Sequence, residues 1–435
     1  MKRLYYLLIA LFSYAPLANA QSDSTLINAD KFFELFISGK PAAYNYFADE
    51  FKSKVSASQI SGLQQQFLQK YGKFNGIVKT SKLAQNGANY VLINTSFDNA
   101  NPLFTLTIDN KGLIIGFFVP KENLKDRYKD PAYANPALYE EKPITVQTND
   151  FKLPGILTIP KNATNFPILI LVHGSGPGDK DEAVGGTKIF RDLALGLAAK
   201  GIATLRYDKR TKVYGANSIK LGEVLTVKQE TETDVKSAIA LAKTIANVNV
   251  AQIYVLGHSL GGMLAPRIAV ENNNIAGIIL AAAPARPFQD ISIAQNKLSA
   301  SQNNIDAKTL DSAIVLINAT RFKTLGNRKP DQQTIYGPAS YIMDLNNYNQ
   351  TATLKKYNGK VLVLQGEKDF QVSMIDFGLW QKAIENRKNA VAVSFPNLGH
   401  PFVVAGSTNT LEDYKLPQNV PIEVIDTIAN WILKK

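Results

Sequence analysis

Two spacings of apolar residues distinguish the first part of the chain. Between residues 30 and 72 apolar side chains recur at helical spacing, and Ser56 with Gln59 forms a capping box ahead of the last helical stretch. From 74 to 119 the spacing changes to every second residue, and turn-forming Asn, Asp and Gly separate four strands. Helices followed by an antiparallel meander predict a small α+β domain.

The remainder of the chain follows a different pattern. Two short alternating strands come first, and continuous apolar runs then alternate with helical segments. The predicted strands are 144–148, 153–159, 167–172, 202–206, 253–256, 275–282, 361–365 and 390–395, and the helices between or after them include 190–198, 235–242, 374–386 and 421–433. Strands that are apolar on both faces and alternate with helices predict a mostly parallel sheet flanked by helices.

These patterns divide a chain of 435 residues into two folded domains. We predict a small α+β domain at 21–120, a linker rich in charges, tyrosines and prolines at 121–143, and an α/β domain at 144–435. Between 287 and 358 the strand–helix alternation stops and polar helical segments replace it. We interpret that stretch as a cap insert over an active site.

The first residues have the features of an export signal. Lys2 and Arg3 precede an apolar run at 4–12, and Ala-Asn-Ala at 18–20 provides a cleavage site. We therefore predict a signal peptide at 1–20 and a periplasmic or secreted protein. The run is shorter than the roughly 20 residues that a spanning helix needs, so we expect no stable membrane insertion.

Composition excludes several classes of function. The chain has no cysteine, which rules out a disulfide, a lipoprotein anchor and a thiol nucleophile. The formal net charge is +12, but the basic residues are scattered and form no nucleic-acid motif, so we expect no nucleic-acid partner. The sequence does not indicate an oligomeric state.

A Gly-x-Ser-x-Gly motif at 257–261 is the strongest chemical signal. It follows the apolar strand 253–256, and Leu264 and Ile268 continue at helical spacing after it. The glycines allow the strand and the helix to approach closely, and the sharp turn exposes the serine. This arrangement predicts a nucleophile elbow with Ser259 as the nucleophile.

A serine nucleophile needs a base, and the chain has three histidines. His258 precedes the nucleophile, and we expect its side chain to point away from the attack site and to serve in packing or hydrogen bonding. His173 begins a glycine-rich segment at 173–178 that is typical of an oxyanion loop. His400 lies in a loop after the last core strand, so we predict His400 as the general base.

An acid that orients the base is expected after the strand 361–365. Asp369 is favoured because the turn at Gly366 carries it back over the edge of the sheet, and Glu367 is the rival. We assign Asp376 to the exposed surface of the following helix.

The order serine, acid, histidine resembles that of the α/β-hydrolase family, over about 144–435. The motifs at 173–177, 205–210 and 257–262 together are similar to those of bacterial secreted esterases and of serine aminopeptidase-like members. The resemblance implies an α/β-hydrolase fold with a cap, and it implies that the backbone N–H groups of Ser175 and Leu260 form the oxyanion hole. The first domain resembles the small domain of unknown function that precedes many bacterial secreted hydrolases.

The basic run Arg206–Arg210 follows a strand and has a structural interpretation. We expect it to fix its loop by ion pairs with Asp208 and not to touch substrate.

The predicted function is hydrolysis of carboxylic esters through an acyl-enzyme, with a small-molecule ester or an acylated glycan as substrate. The mechanism requires no metal or cofactor, and no clustered ligand spacing suggests one. A serine aminopeptidase is one alternative, and the cap offers several carboxylates to hold a substrate amino terminus: Asp306, Asp311, Asp331 and Asp344. A catalytically silent binding protein is the other alternative.

Overall fold

The computed structural model describes two compact units, which we call the small unit and the large unit. The small unit covers 24–118 except for 86, 87 and 99, and the large unit lies within 128–434. The residues described in the large unit are 128–220, 222–272, 274–303, 305–406, 410, 414 and 417–434. The predicted signal peptide at 1–20, the first part of the predicted linker at 121–127 and the predicted turn at 86–87 lie outside the described residues.

The small unit places helices before a meander, as its apolar spacing predicts. Its helices are α1 Ser24–Ile37, α2 Asp49–Lys52 and α3 Ala57–Tyr71, with a 3₁₀ helix at Pro41–Tyr46. The capping box is present at the start of α3, because the Ser56 side chain accepts from the Gln59 N–H and the Gln59 side chain accepts from the Ser56 N–H. Gly72 ends α3 with a φ of 81°.

Four antiparallel strands in the order β1-β2-β3-β4 complete the small unit, and they are β1 Phe74–Gln85, β2 Ala88–Phe97, β3 Leu103–Ile108 and β4 Ile114–Phe118. Alternate residues of β2 are buried, namely Val91, Ile93, Thr95 and Phe97. They pack on a group of aromatic rings in which the centroids of Phe33 and Phe104 are 4.6 Å apart. The sheet therefore buries one face against the helices.

The large unit is built on an eight-stranded sheet in the order β16-β15-β12-β11-β7-β10-β6-β5. Its strands are β5 Tyr139–Thr148, β6 Phe151–Pro160, β7 Phe166–Val172, β10 Ala203–Tyr207, β11 Val248–His258, β12 Gly277–Ala281, β15 Lys360–Gly366 and β16 Ala390–Phe395. Neighbouring strands pair in parallel among β16, β15, β12, β11, β7 and β10. The last two strands are antiparallel to their neighbours, β6 to β10 and β5 to β6. This confirms the predicted, mostly parallel sheet.

Helices cover the sheet and bury its apolar faces. They are α4 Ile189–Ala198, α5 Arg210–Tyr214, α6 Thr233–Ala242, α7 Leu260–Glu271, α12 Met374–Ile384 and α13 Ile422–Leu433, with a 3₁₀ helix at Gly215–Asn217 and a π-helix at Lys228–Glu232. Every residue of β7 is buried, as expected for a parallel strand covered on both faces. A two-stranded ribbon, β8 Ala183–Val184 and β9 Thr187–Lys188, precedes α4.

The predicted cap region folds between β12 and β15 as a separate group of elements. These are α8 Phe288–Asn303, α9 Ala307–Asn318, β13 Gln333–Thr334, β14 Gly337–Pro338, α10 Ala339–Asn347 and α11 Gln350–Leu354. The four helices of this group lie in the stretch where polar helical segments are expected.

The first strand of the large unit begins earlier than its sequence pattern indicates. We predict a strand at 144–148, but β5 begins at Tyr139, so residues 139–143 of the predicted linker are part of a strand. β5 is the edge strand of the sheet, where charged residues and Pro143 are tolerated because one side of the strand has no partner to bond.

The register of the parallel strands positions the ends that matter for chemistry. Gly257 in β11 pairs with Val172 in β7, and Gly366 in β15 pairs with Phe395 in β16. The loops that follow these strands consequently leave from the same edge of the sheet. No helix among the described residues has the length and apolarity that a bilayer crossing requires.

Candidate active site

Ser259 occupies a strained turn between β11 and α7. Its φ is 53° and its ψ is −118°, a backbone conformation that L residues rarely adopt. The turn also needs its glycines, since a Cβ on Gly257 would lie 2.1 Å from the Gly261 carbonyl oxygen, and one on Gly261 would lie 2.4 Å from that of Val172. The sequence motif therefore folds as the sharp strand–turn–helix that an elbow requires.

His400 and Asp369 come together at the same edge of the sheet. His400 Nδ1 lies 2.7 Å from Asp369 Oδ2, and both side chains are buried. The other oxygen, Oδ1, accepts from the backbone N–H groups of Gln371 and Val372 at 2.8 Å each. The Gln365 side chain donates to Oδ2 at 3.0 Å. Asp369 is thus held firmly enough to fix the orientation of the imidazole ring.

Glu367, the rival acid, lies elsewhere. Its Oε1 accepts from the Ser394 hydroxyl at 2.8 Å, and its side chain is exposed. The structure brings Asp369, and not Glu367, to the ring of His400.

His258 joins the elbow to the loop that carries His400. Its Nε2 lies 3.0 Å from the backbone oxygen of His400, and the centroids of the two rings are 4.8 Å apart. On its other side, Nδ1 lies 3.1 Å from Glu182 Oε1. His258 is the residue before Ser259, so its hydrogen bond holds the His400 loop next to the elbow. This agrees with the expected packing and hydrogen-bonding role of His258.

The glycine-rich segment 173–178 passes directly over the elbow. A Cβ on Gly174 would lie 3.1 Å from the Cβ of Ser259, so the backbone of this loop touches the elbow serine. His173 closes the loop, because its Nε2 lies 2.9 Å from the Asp179 carbonyl oxygen. Burial lowers the pKa of His173, which favours the neutral ring. Ser175 is exposed and Leu260 is buried at the first position of α7.

Glu182 is a buried carboxylate that the sequence analysis missed. Its Oε1 accepts from the Gly174 N–H at 2.7 Å and faces His258. Burial alone raises the pKa of Glu182 and lowers that of His258, but their mutual attraction outweighs burial. The pKa of Glu182 is therefore lowered and the pKa of His258 raised, so both charged forms are favoured. An acidic run at 179–182, directly after the glycine-rich loop, was the available signal.

The basic run Arg206–Arg210 has a structural role, but the predicted pairing with Asp208 is wrong for the arginines. Arg206 Nε donates to Asp181 at 3.0 Å and its Nη2 to Glu141 at 2.6 Å. Arg210 donates to Asp234. These partners come from distant segments, so the run anchors its strand end to its surroundings. Asp208 itself pairs with Lys180, at 3.3 Å.

Asp376 is another correction. It lies in the first turn of α12 and is completely buried, although we expected an exposed position. Its carboxylate accepts from the Arg286 guanidinium at 2.7 Å and from the backbone N–H groups of Ala285 and Arg286 at 3.0 Å each. Arg286 precedes the cap, so this ion pair fixes the point at which the cap leaves the sheet.

The cap also touches the segment that carries Asp369. The Gln295 side chain in α8 donates to the carbonyl oxygen of Gln371 at 2.9 Å, and the N–H of Gln371 is bonded to Asp369.

The described residues contain no group of three or more His, Cys, Asp and Glu residues that could hold a metal ion.

Two families match separate parts of the chain. Residues 29–117 match a family of proteins of unknown function (DUF3887), and residues 169–408 match the alpha/beta hydrolase family. The esterase EstD of Thermotoga maritima is 33% identical over 395 residues, which cover 90% of this chain and 91% of EstD. The chain belongs to the α/β-hydrolase family.

Membership of the α/β-hydrolase family confirms the resemblance on which the predicted fold and enzyme class depend. The match at 29–117 confirms the resemblance of the first domain to a small domain of unknown function. EstD is named as an esterase, in agreement with the prediction of a hydrolase acting on esters.

Solved structures also match the chain. Est1E from Butyrivibrio proteoclasticus is 20% identical with a TM-score of 0.43, and the match covers 67% of this chain and 99% of Est1E. Proline iminopeptidase of Mycobacterium smegmatis is 15% identical with a TM-score of 0.44, covering 67% of this chain and 97% of that protein.

Proposed function

We propose that this α/β-hydrolase cleaves carboxylic esters, with Ser259 as nucleophile, His400 as general base and Asp369 as the residue that orients the base. The observation that carries the proposal is the 2.7 Å contact between His400 and Asp369 beside the strained turn of Ser259. A serine hydroxyl is a weak nucleophile near neutral pH, and a base held by a buried carboxylate is what activates it.

The reaction proceeds in two steps. Ser259 Oγ attacks the acyl carbonyl while His400 Nε2 takes its proton, and the leaving alcohol receives that proton as the acyl-enzyme forms. Water activated by the same histidine then attacks the acyl-enzyme and releases the acid. Asp369 accepts from Nδ1–H throughout, which fixes the tautomer of the ring and stabilises the imidazolium.

The backbone N–H groups of Ser175 and Leu260 are the proposed oxyanion donors. Leu260 opens α7, where the first N–H groups of a helix have no intrahelical acceptor and the helix dipole favours negative charge. Ser175 follows Gly174, which lies against the elbow. Each such donor contributes about a hundredfold or more to the rate.

The proposed substrates are esters with small or medium acyl groups, including acylated glycans. EstD, named as an esterase, supports the ester class over most of the chain length.

The test is hydrolysis of p-nitrophenyl acetate, butyrate and octanoate, and of acetylated xylan, by wild type and by Ser259→Ala and His400→Ala. We expect kcat to fall by about 10⁴-fold or more in both variants, because triad members act as a unit. Ser312→Ala, an exposed cap serine, is the matched control and should keep the wild-type rate. Full activity of Ser259→Ala would contradict the proposal.

The aminopeptidase alternative needs a cap carboxylate that is free to hold an amino terminus. Two of the four candidates have other partners: Asp306 caps α9 by accepting from the Thr309 N–H at 3.0 Å, and Asp344 pairs with Arg267 at 2.8 Å. Asp311 and Asp331 are exposed. Cleavage of aminoacyl-naphthylamides faster than of esters would favour the peptidase, and inactivity on both substrate classes would favour a silent binding protein.

We also propose export to the periplasm or the medium, on the strength of the basic, apolar and Ala-Asn-Ala segments of residues 1–20. Amino-terminal sequencing of the protein from the culture medium and the periplasm should find Gln21 first. An unprocessed chain in the cytoplasm would contradict this proposal.

A further inference from the structure

Lys209 is a buried lysine at the carboxyl end of β10. Its Nζ lies 2.9 Å from the carbonyl oxygen of Gly174 and 2.9 Å from Glu230 Oε1, and its side chain is 3% exposed. A buried ammonium group is costly unless it is paired and hydrogen-bonded. One carboxylate and one backbone carbonyl meet that requirement here, which ties the basic run to the glycine-rich loop.

The carbonyl that Lys209 holds belongs to the peptide unit of a proposed oxyanion donor. The C=O of Gly174 and the N–H of Ser175 share one planar, trans peptide, so they point in opposite directions. Whatever fixes the oxygen of this unit also fixes the direction of its N–H. The preceding peptide is held as well, because the Gly174 N–H donates to Glu182 at 2.7 Å.

We infer that Lys209 is a positioning residue of the oxyanion hole: its ammonium group holds the Gly174–Ser175 peptide so that the Ser175 N–H faces the developing oxyanion. Hydrogen bonds in a chain polarise one another, so a cation on the carbonyl side also strengthens the N–H as a donor. This inference rests on the proposed function of Ser259.

Glu230 gives Lys209 a fixed place and links it to the cap. Glu230 lies in the π-helix at Lys228–Glu232, and its Oε2 accepts from the hydroxyl of Tyr341 in α10 at 2.7 Å. All three side chains are buried. The carboxylate therefore holds the ammonium in place while the backbone carbonyl is the group that the ammonium positions.

The test compares Lys209→Met, Glu230→Gln and the double variant Lys209→Met/Glu230→Gln. The single lysine variant leaves a buried carboxylate without its cation and is expected to unfold more easily. The double variant removes both charges, so it should regain stability. We expect kcat of the double variant to remain 10- to 100-fold below wild type, with KM within threefold, because the lost interaction acts in the transition state.

A second readout separates oxyanion stabilisation from general loosening of the fold. A trifluoromethyl ketone forms a tetrahedral adduct with the serine, so its affinity should fall in the double variant by the same factor as kcat. Lys180→Met is the matched control, since Lys180 pairs with Asp208, the neighbour of Lys209, and it should keep wild-type kcat and inhibitor affinity. A folded double variant with wild-type kcat, or with a change in KM alone, would overturn the inference.

Ser259→Ala in the same assay distinguishes the two proposals. If Ser259→Ala is inactive and the double variant has wild-type kcat, the role of Lys209 fails while the proposed function survives. If Ser259→Ala keeps the wild-type rate, the proposed function fails first.

Discussion

The small unit and the large unit bury different kinds of side chain. Thr95 is the one polar or charged residue that is buried among the described residues of the small unit. The large unit buries many such residues, and the charged or titratable ones among them are His173, Glu182, Asp192, Arg206, Lys209, Arg210, Glu230, Glu232, Asp234, His258, Asp369, Asp376 and His400. Many of them lie at the strand ends that carry the candidate site.

This difference separates stability from chemistry. The aromatic rings of the small unit contribute to its stability through burial and edge-to-face contacts, which need no particular partner atom. A buried charge, by contrast, is favourable only where a specific partner compensates its desolvation. The large unit uses such pairs to hold backbone and side chains in fixed positions, as with Glu182 at Gly174.

After the loss of Ser259 or His400, replacing Asp369 with Asn should have the largest effect on activity. The amide cannot hold the tautomer of His400 or stabilise its imidazolium, so we expect kcat on p-nitrophenyl esters to fall by about 10³- to 10⁴-fold. Glu367→Gln is the matched control and should keep kcat within twofold of wild type, because Glu367 is exposed and bonded to Ser394. A loss of kcat in Glu367→Gln together with wild-type kcat in Asp369→Asn would make Glu367 the orienting acid after all.

Phe104→Ala tests the aromatic core of the small unit. Phe104 is completely buried and packs on Phe33, so its truncation should cost about 3–5 kcal/mol in the free energy of unfolding of that unit. Phe118→Ala removes an exposed ring of the same sheet and should cost less than 1 kcal/mol.

The probes make this experiment specific. Both tryptophans of the chain, Trp380 and Trp431, lie in the large unit, so their fluorescence follows that unit while far-UV circular dichroism follows both. We expect Phe104→Ala to lower the denaturant midpoint of an early dichroism transition and to leave the fluorescence midpoint unchanged. A shift of both transitions by the same amount would show that the two units unfold together.

Glu232 should make the stability of the large unit depend on pH. Burial raises the pKa of Glu232 to about 7, although Arg267 Nε lies 3.0 Å away and opposes that shift. The unfolded chain releases this proton near pH 4.5, so the stability contributed by Glu232 declines as the pH rises from about 4.5 through about 7. As the pH rises from 4.5 to 8, the free energy of unfolding of Glu232→Gln should therefore increase by about 1–3 kcal/mol relative to that of wild type.

Urea unfolding followed by tryptophan fluorescence across this pH range measures the effect. Glu271→Gln is the control, since Glu271 also faces Arg267, at 3.7 Å, but its side chain is half exposed. Glu271→Gln should change the free energy of unfolding by less than about 1 kcal/mol, because a half-exposed ion pair contributes little to stability. A difference in unfolding free energy between Glu232→Gln and wild type that does not change with pH would mean that Glu232 is ionised at no cost.

The order of elements was predictable because each carries its own period. In the small unit β2 and β3 bury alternate residues, and in the large unit the parallel strand β7 is a continuous apolar run. The candidate triad could also be proposed from the sequence, because the chain has only three histidines and the elbow motif indicates the serine. The edge strand β5 was partly missed because charges and a proline in one strand are typical of a linker as well.

Buried charges could not be predicted from the sequence. Asp376 lies at the start of an amphipathic helix, where an aspartate is usually solvated, and only the folded chain brings Arg286 to it. Glu182 and Lys209 are similar cases, because Glu182 meets His258 and Lys209 meets the backbone of Gly174, and the members of each pair are far apart in sequence. Their pairing depends on the register of the parallel strands, which local patterns do not encode.

The smallest expected effect lies at the exposed capping box of the small unit. The Ser56 hydroxyl accepts from the Gln59 N–H at 3.3 Å, and Ser56→Ala should cost about 1 kcal/mol in the unfolding free energy of the small unit. Ser61→Ala, an exposed serine inside the same helix, should change it by less than 0.5 kcal/mol. If Ser56→Ala cost as much as Phe104→Ala in the dichroism transition, a polar contact would dominate the stability of the small unit, and the contrast with the large unit would be lost.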